Sequence, residues 1–336
     1  MPRDPIPQHV VPMLARLSTL PKEQDDDKYG YEIKWDGVRA IAYVEKKGTT
    51  HLESRNLNDV TRQYPEAPAV GEALKGHTAV LDGEVVAFDE AGRPSFERLQ
   101  GRMHLTGEAA IGARSRSTPI VYVVFDLLYL DGESLIRLPY TERRERLEEL
   151  DLNGPSWRTP TYHAGDGAAL LEASVRQGLE GVMAKRLDSP YEPGRRPGTW
   201  LKVKNTRRQE LVVGGWLPGE GRRKGRIGAL LMGYYDHTPQ GPELRLAGKV
   251  GTGFDAKELD KLEKLLAPLE RPTTPFSGPR QPGKGAVFVE PELVAEVEFS
   301  EWTRQNMLRH PSYKGLRDDK SPLDVVLEKP EPAPRG

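Results

Sequence analysis

Lys34 stands two residues before Asp36 and five before Arg39 in the run Glu32-Ile33-Lys34-Trp35-Asp36-Gly37-Val38-Arg39. A lysine so flanked is a candidate nucleophile for phosphoryl transfer, able to take AMP from ATP. It must attack as the neutral amine, a form favoured by nearby cations or a bound metal. Lys202 and Lys204, in Trp200-Leu201-Lys202-Val203-Lys204, could supply those cations. Alternation puts both on one strand face, where they could hold an α-phosphate or simply meet solvent.

Carboxylates recur at strand ends. Asp82-Gly83-Glu84 interrupts an apolar run, and Glu180-Gly181 opens Val182-Met183-Ala184, which ends in Lys185. Such pairs can bind a hard divalent cation or a ribose, since Mg²⁺ needs only one or two carboxylates beside substrate phosphate. They are also ordinary turn chemistry. Phe125, inside an apolar strand, could pack in the core or stack on a base. Arg55-Asn56 offers a guanidinium suited to bidentate phosphate binding, and Arg222-Arg223-Lys224-Gly225-Arg226 is a basic loop suited either to a nucleic-acid backbone or to solubility. The segment from Arg309 to Lys320 reads by composition as a charged surface loop.

These residues must be placed by strands. Tyr31 to Lys34 and Val38 to Val44 read as two strands around an Asp36-Gly37 turn. Further strands are expected at 50–54, 78–88, 119–130, 180–185 and 199–204, with helices near 141–150 and 166–177. Beyond Arg207-Arg208 short apolar strands separated by Gly/Pro turns, with one helix near 256–266, suggest a small barrel. The expected domains are therefore 1–206 and 207–328, followed by a Pro-rich tail at 329–336 expected to be disordered.

Composition narrows the class. The 336 residues exceed the usual single-domain size, and 49 basic residues against 50 acidic ones mean that affinity for nucleic acid must come from segregated charge. The absence of cysteine excludes disulfides and thiolate metal sites and suits a reducing cytoplasm. No apolar run reaches membrane-spanning length, the N-terminus lacks a signal-peptide core, no histidine spacing fits a metal site and no P-loop occurs.

Taken in order, the segments resemble the covalent nucleotidyltransferase superfamily, and specifically the ATP-dependent DNA ligases. Lys34-Trp35-Asp36-Gly37-Val38-Arg39 matches the Lys-x-Asp-Gly-x-Arg signature. Ser54-Arg55-Asn56, Asp82-Gly83-Glu84, Val124-Phe125-Asp126, Glu180 to Lys185 and Trp200 to Lys204 match the motifs that follow, and Arg309-x-Pro311 with Arg317-x-Asp319-Lys320 matches the last. The wording around the motifs most resembles the ligase domain of bacterial non-homologous end-joining ligases, which is often fused to polymerase and phosphoesterase modules. The chain would then be a stand-alone version or an excised domain.

The resemblance implies an α+β fold, an adenylation domain of antiparallel sheets with helices followed by an OB-fold β-barrel. It implies that Lys34 takes AMP from ATP, passes it to the 5′-phosphate of a DNA nick, and that the 3′-hydroxyl displaces it, with Mg²⁺ or Mn²⁺ as cofactor. It assigns adenine contacts to Glu32 and the Ile33 backbone, the ribose to Arg39 and Glu84, base stacking to Phe125, and metal to Glu84 and Glu180. Lys202 and Lys204 would grip phosphate, Lys185 would serve the nucleotide, Asp36 would orient the site, and Arg55 would meet the ribose or the nick 5′-phosphate. Arg317, Asp319 and Lys320 would approach the triphosphate during self-adenylation, once the barrel closes. Nicked duplex DNA, a Ku-type end-binding protein and a repair polymerase are the implied partners of a monomeric, prokaryotic, cytoplasmic enzyme. A GTP-dependent capping-type guanylyltransferase shares most motifs, and a non-catalytic OB-fold binding protein is the reading from another class. An NAD-dependent ligase would bring a tetracysteine module that this chain lacks.

Overall fold

Alternation of apolar and polar side chains builds two sheets whose inner faces meet. In chain order the strands are β1 (Arg16–Leu17), β2 (Tyr29–Ile33), β3 (Val38–Val44), β4 (Thr50–Ser54), β5 (Ala79–Ala87), β6 (Ile120–Leu130), β7 (Glu133–Ser134), β8 (Trp157–Arg158), β9 (His163–Ala164), β10 (Gly181–Arg186) and β11 (Trp200–Lys204). One sheet runs β1-β11-β10-β2-β9, the other β4-β3-β5-β6-β7 with β8 beside β6. The structure is a computed structural model describing residues 4–103, 105 and 107–334; the side chain of Arg222, in the basic loop, and the tail residues Arg335 and Gly336 lie outside that description.

β6 is apolar at nearly every position because both faces of its sheet are covered. Tyr122, Val124 and Leu127 join one core with Val38, Ala40, Leu81 and Val85. Phe125, Leu128 and Tyr129 join a second core with Ile41, Tyr43 and Trp200, the last from the opposite sheet. The helix Tyr140–Glu149 packs on β6, and Gly167–Arg176 packs on β10 and β2.

The chain divides into the unit Met1–Asn205 with Lys329–Gly336, and the unit Thr206–Glu328. The second unit holds β12 (Arg208–Pro218), β13 (Ile227–Thr238), β14 (Gly241–Val250), β15 (Glu270–Arg271), β16 (Val287–Val289), β17 (Val294–Glu298), β18 (Glu301–Trp302), β19 (Leu308–Arg309) and β20 (Ser312–Arg317). β12 changes partners along its length, pairing with β17 over Arg208 to Val212 and with β16 at Gly215 and Trp216, which curls the sheet. One helix, Ala256–Leu266, is capped by the Asp255 side chain accepting from the Glu258 amide, and it buries Leu259, Leu262 and Leu266.

Two expectations are corrected. The charged segment near the C-terminus is no surface loop: β20 pairs with β17, and Arg317 is buried in a two-pronged pair with Asp319. Mutual neutralisation lets such charges sit inside, a feature that composition alone reads as surface. Nor is the Pro-rich tail disordered over its described residues. Glu331, between two prolines, donates its amide to Leu17 O at 3.2 Å, while its carbonyl accepts from the Thr19 amide at 3.2 Å and from Ser18 Oγ at 2.8 Å. β1 is an edge strand whose outer backbone groups take the tail as their partner, and an extended Pro-rich segment suits such an edge.

Candidate active site

Strand register gathers the chemistry onto one face. Glu32 lies opposite Met183, which lies opposite Lys202, and Gly30, Lys185 and Trp200 form the next row. Since successive side chains alternate, Glu32, Lys185, Lys202 and Lys204 share a face, and Lys34 joins it just past β2, its amide bonded to Gly181 O at 2.9 Å. The opposite face carries Tyr29, Tyr31, Ala184 and Leu201, packed together as core. Gly181 has a φ of +148°, and a Cβ there would lie 2.0 Å from Val203 O, so only glycine fits the corner where Glu180 turns in.

Lys34 Nζ donates to Glu180 Oε2, and Lys204 Nζ lies 3.1 Å from Glu180 Oε1. Burial pushes the Glu180 carboxyl up, but the ammonium groups of Lys34 and Lys204 outweigh it and hold its pKa at about 2. Glu180 is therefore a carboxylate at any physiological pH. Glu32 is buried, with Lys185 Nζ at 2.7 Å, Arg144 Nη1 at 3.5 Å and the Tyr140 hydroxyl donating to it. Burial pushes the Lys185 ammonium down, opposed by Glu32.

The facing sheet supplies the other wall. Arg39 on β3 lies opposite Glu84 on β5, and its guanidinium forms a two-pronged pair with Asp82. The Arg39 Cζ sits 4.6 Å from the Phe125 centroid and 5.7 Å from that of Trp200, and Lys185 Nζ sits 4.4 Å from Phe125. The Arg39–Trp200 and Lys185–Phe125 contacts cross from sheet to sheet, so the two faces close on each other. Gly37 passes so near β5 that a Cβ there would lie 2.2 Å from Val85 O. That approach brings the Lys34 loop against Glu84.

Family models now decide the class: the ATP dependent DNA ligase domain matches residues 12–204, and the ATP dependent DNA ligase C terminal region matches 223–320. The chain belongs to the ATP-dependent DNA ligases. It is 42% identical over 322 residues to the multifunctional non-homologous end joining DNA repair protein LigD of Mycobacterium tuberculosis, covering 95% of this chain and 40% of that one. It is 36% identical over 332 residues to a DNA ligase of Thermococcus onnurineus, covering 94% of this chain and 56% of the relative. Among solved structures it matches mycobacterial DNA ligase D complexed with ATP and MES with a TM-score of 0.65 at 42% identity, covering 95% of this chain and 98% of that one. The chain thus spans about 40% of the length of the LigD relatives. This family membership supports the adenylation-plus-OB architecture and decides against the guanylyltransferase and binding-module readings.

Of the residues expected in the ligase site, Glu32, Ile33, Lys34, Lys185, Lys202, Lys204 and Glu180 come together on or beside one sheet, and Arg39, Glu84 and Phe125 on the other. Asp36 sits in the half-buried turn between β2 and β3. Arg55 follows β4, an edge strand, in a turn beside the start of β3. Arg317 and Lys320 belong to the other unit. There Arg317 is closed off by Asp319 and by Glu296 at 3.5 Å, and Lys320 meets Glu210 at 3.2 Å. In the basic loop Arg226 is held by Asp260 and Glu263, and Arg223 bonds Gly251 O at 3.2 Å.

Sequence reasoning missed Tyr140, Arg143, Arg144 and Tyr191. The first three had a signal: Tyr140, Arg143, Arg144 and Leu147 are the inward stripe of their helix, at the spacing of an apolar face. Two arginines at core positions call for buried carboxylates, here Asp126 and Glu32. Tyr191 lies in a loop and had none.

Proposed function

We propose that the chain seals 5′-phosphate/3′-hydroxyl nicks in duplex DNA at the expense of ATP, through AMP carried on Lys34. The observation that carries this is the Lys34–Glu180–Lys204 cluster, set on a face shared with Lys202 in a chain of the ligase family. Lys34 Nζ attacks the α-phosphorus; the N–P bond forms as the bond to pyrophosphate breaks, and the amine's proton leaves. AMP then moves to the 5′-phosphate of the nick, freeing Lys34, and the 3′-hydroxyl displaces AMP to close the phosphodiester. Each step is an in-line transfer in which positioning and charge neutralisation do most of the work. Lys202 and Lys204 are assigned to the α-phosphate oxygens, Arg39 and Glu84 to the ribose, Glu32, the Ile33 backbone and Lys185 to the base, with Phe125 as the wall it packs on. Asp36 orients the loop and Arg55 meets the nick 5′-phosphate; Arg317 and Lys320 would serve the triphosphate only on leaving their present carboxylate partners.

Among the described residues no three acidic or histidine side chains converge. A divalent ion held by Glu180 or Glu84 together with substrate phosphate fits this sparse donor set and would supply neutralisation of phosphate charge. The likeness to LigD supports a place in double-strand-break repair, with a Ku-type end-binding protein and a repair polymerase as partners of a monomer. Work at the prokaryotic nucleoid belongs to the same reading; among the described residues no helix is long and apolar enough to cross a membrane.

Incubation with α-labelled ATP and Mg²⁺ or Mn²⁺, denaturing electrophoresis and a chase with nicked DNA test the reading. Label that is retained, absent from Lys34→Ala and discharged as the nick closes is the expected result. Label from GTP alone, or an active Lys34→Ala, overturns it.

A further inference from the structure

A closed ring of hydrogen bonds lies behind Arg39. The Met13 amide donates to the Tyr191 hydroxyl at 2.9 Å, and that hydroxyl donates to Asp82 Oδ2 at 2.7 Å. Asp82 holds Nε and Nη2 of Arg39, and Nη2 returns to Met13 O at 3.5 Å. One residue of the N-terminal arm, Met13, thus opens the ring with its amide and closes it with its carbonyl. Met13 and Asp82 are fully buried and Tyr191 nearly so, whereas the Arg39 side chain keeps 19% of its surface open.

Asp82 orients Arg39 through both its oxygens, and a third group bonded to one of them restrains the carboxylate further. Tyr191 is that group. Its ring is pinned edge-on to Trp200 at 5.6 Å, its own amide bonds Ile136 O at 2.8 Å, and Arg143 Cζ lies 5.8 Å from its centroid. Burial and the neighbouring Asp82 charge push the Tyr191 hydroxyl well above its ordinary pKa, so it stays a donor. The bonds named occupy Nε and Nη2 of Arg39, and Nη1 carries no hydrogen bond among the described residues. The guanidinium is aimed by its inner edge and presents an outer one.

We propose that Tyr191 is a positioning residue for nucleotide binding, its hydroxyl locking Asp82 so that Arg39 offers its outer edge to an acceptor oxygen of the bound nucleotide. This rests on the ligase reading above. A guanidinium fixed before the ligand arrives costs less ordering on binding than one that must be caught. Removing the hydroxyl therefore weakens nucleotide binding without touching the chemical step.

The test is the ATP dependence of Lys34 labelling in wild type, Tyr191→Phe, Arg39→Ala and the double variant. Tyr191→Phe should raise KM for ATP about tenfold, the worth of one hydrogen bond to a charged group, and leave kcat unchanged. In the Arg39→Ala background the same change should have no further effect, which a merely structural tyrosine would not show. Should Tyr191→Phe fail to fold, Asp82→Asn must give the same KM rise and the same silence in the Arg39→Ala background. An unchanged KM, or effects that simply multiply, overturns the positioning role while wild-type labelling leaves the ligase reading standing. A wild type that takes no label overturns both.

Discussion

Replacing Glu180 by glutamine keeps its shape and removes its charge, leaving the ammonium groups of Lys34 and Lys204 facing one neutral amide. The carboxyl's fall from 4.5 to about 2 corresponds to about 3 kcal/mol of native-state stability at neutral pH. Because the folded pKa lies below the unfolded one, the unfolded chain binds the extra proton between those values. The contribution is complete above about 4.5 and is lost as pH falls toward 2. Wild type should therefore exceed Glu180→Gln by about 3 kcal/mol at pH 7, and the gap should shrink steadily below the ordinary carboxyl pKa. Urea unfolding followed by tryptophan fluorescence at stepped pH measures it, and the difference between the curves cancels every carboxylate the two proteins share. A gap that is absent at neutral pH, or one that stays constant down to the acid limit of folding, would refute the claim that the two lysines hold Glu180 ionised.

Arg143 binds Asp126 at 2.8 and 2.9 Å and the carbonyls of Leu138 and Ser189 at 2.7 and 3.0 Å. Arg143→Met strands a fully buried carboxylate and should cost about 3–5 kcal/mol in urea unfolding, much of it recovered when Asp126→Asn is added. Gly37→Ala pushes a methyl into Val85 O and must displace the Lys34 loop; lysyl-AMP formation should fall at least tenfold, read by labelling, with far-UV circular dichroism unchanged. Arg55→Ala should spare lysyl-AMP formation and slow sealing of pre-adenylated nicks, and equal loss of both would refute its assignment to the nick phosphate. Cutting the chain after Glu328 removes the Glu331 bonds to β1 and should lower the melting temperature of the first unit by a few degrees, with Lys34 labelling intact.

The strands that carry the site were legible because period-two alternation is a local signal. β3, β4 and β11 fall within a residue or two of where their pattern sets them. What alternation could not tell is which charged residues go inside. Arg143, Arg144, Arg317 and Asp319 are polar by type and core by position; the first two are admitted by Asp126 and Glu32, on strands earlier in the chain, and the last two by each other. The helices Phe96–Gln100 and Glu108–Ser117 also escaped: the first spans little more than a turn, and the second buries only Ile111. The edge role of the tail was hidden for a related reason, since β1 is two residues long and too short to show a pattern.

Alternation has a further consequence for function. On β2, β10 and β11 it sends tyrosine, leucine and alanine one way and, with the residues flanking those strands, Lys34, Lys185, Lys202 and Lys204 the other, where Glu32 and Glu180 are the carboxylates. Twice as many ammonium groups as carboxylates share that face, closed over by Phe125 and Arg39. Ammonium groups gathered on one face raise the positive potential there, which suits an anionic ligand between the sheets. Under the proposed function, a nucleotide phosphate delivered to Lys34 would meet that potential, and the same field would disperse charge as the phosphorus changes partners. On that proposal, substrate affinity and the chemistry of transfer would both trace to one property of the sequence, the parity of its lysines along three strands.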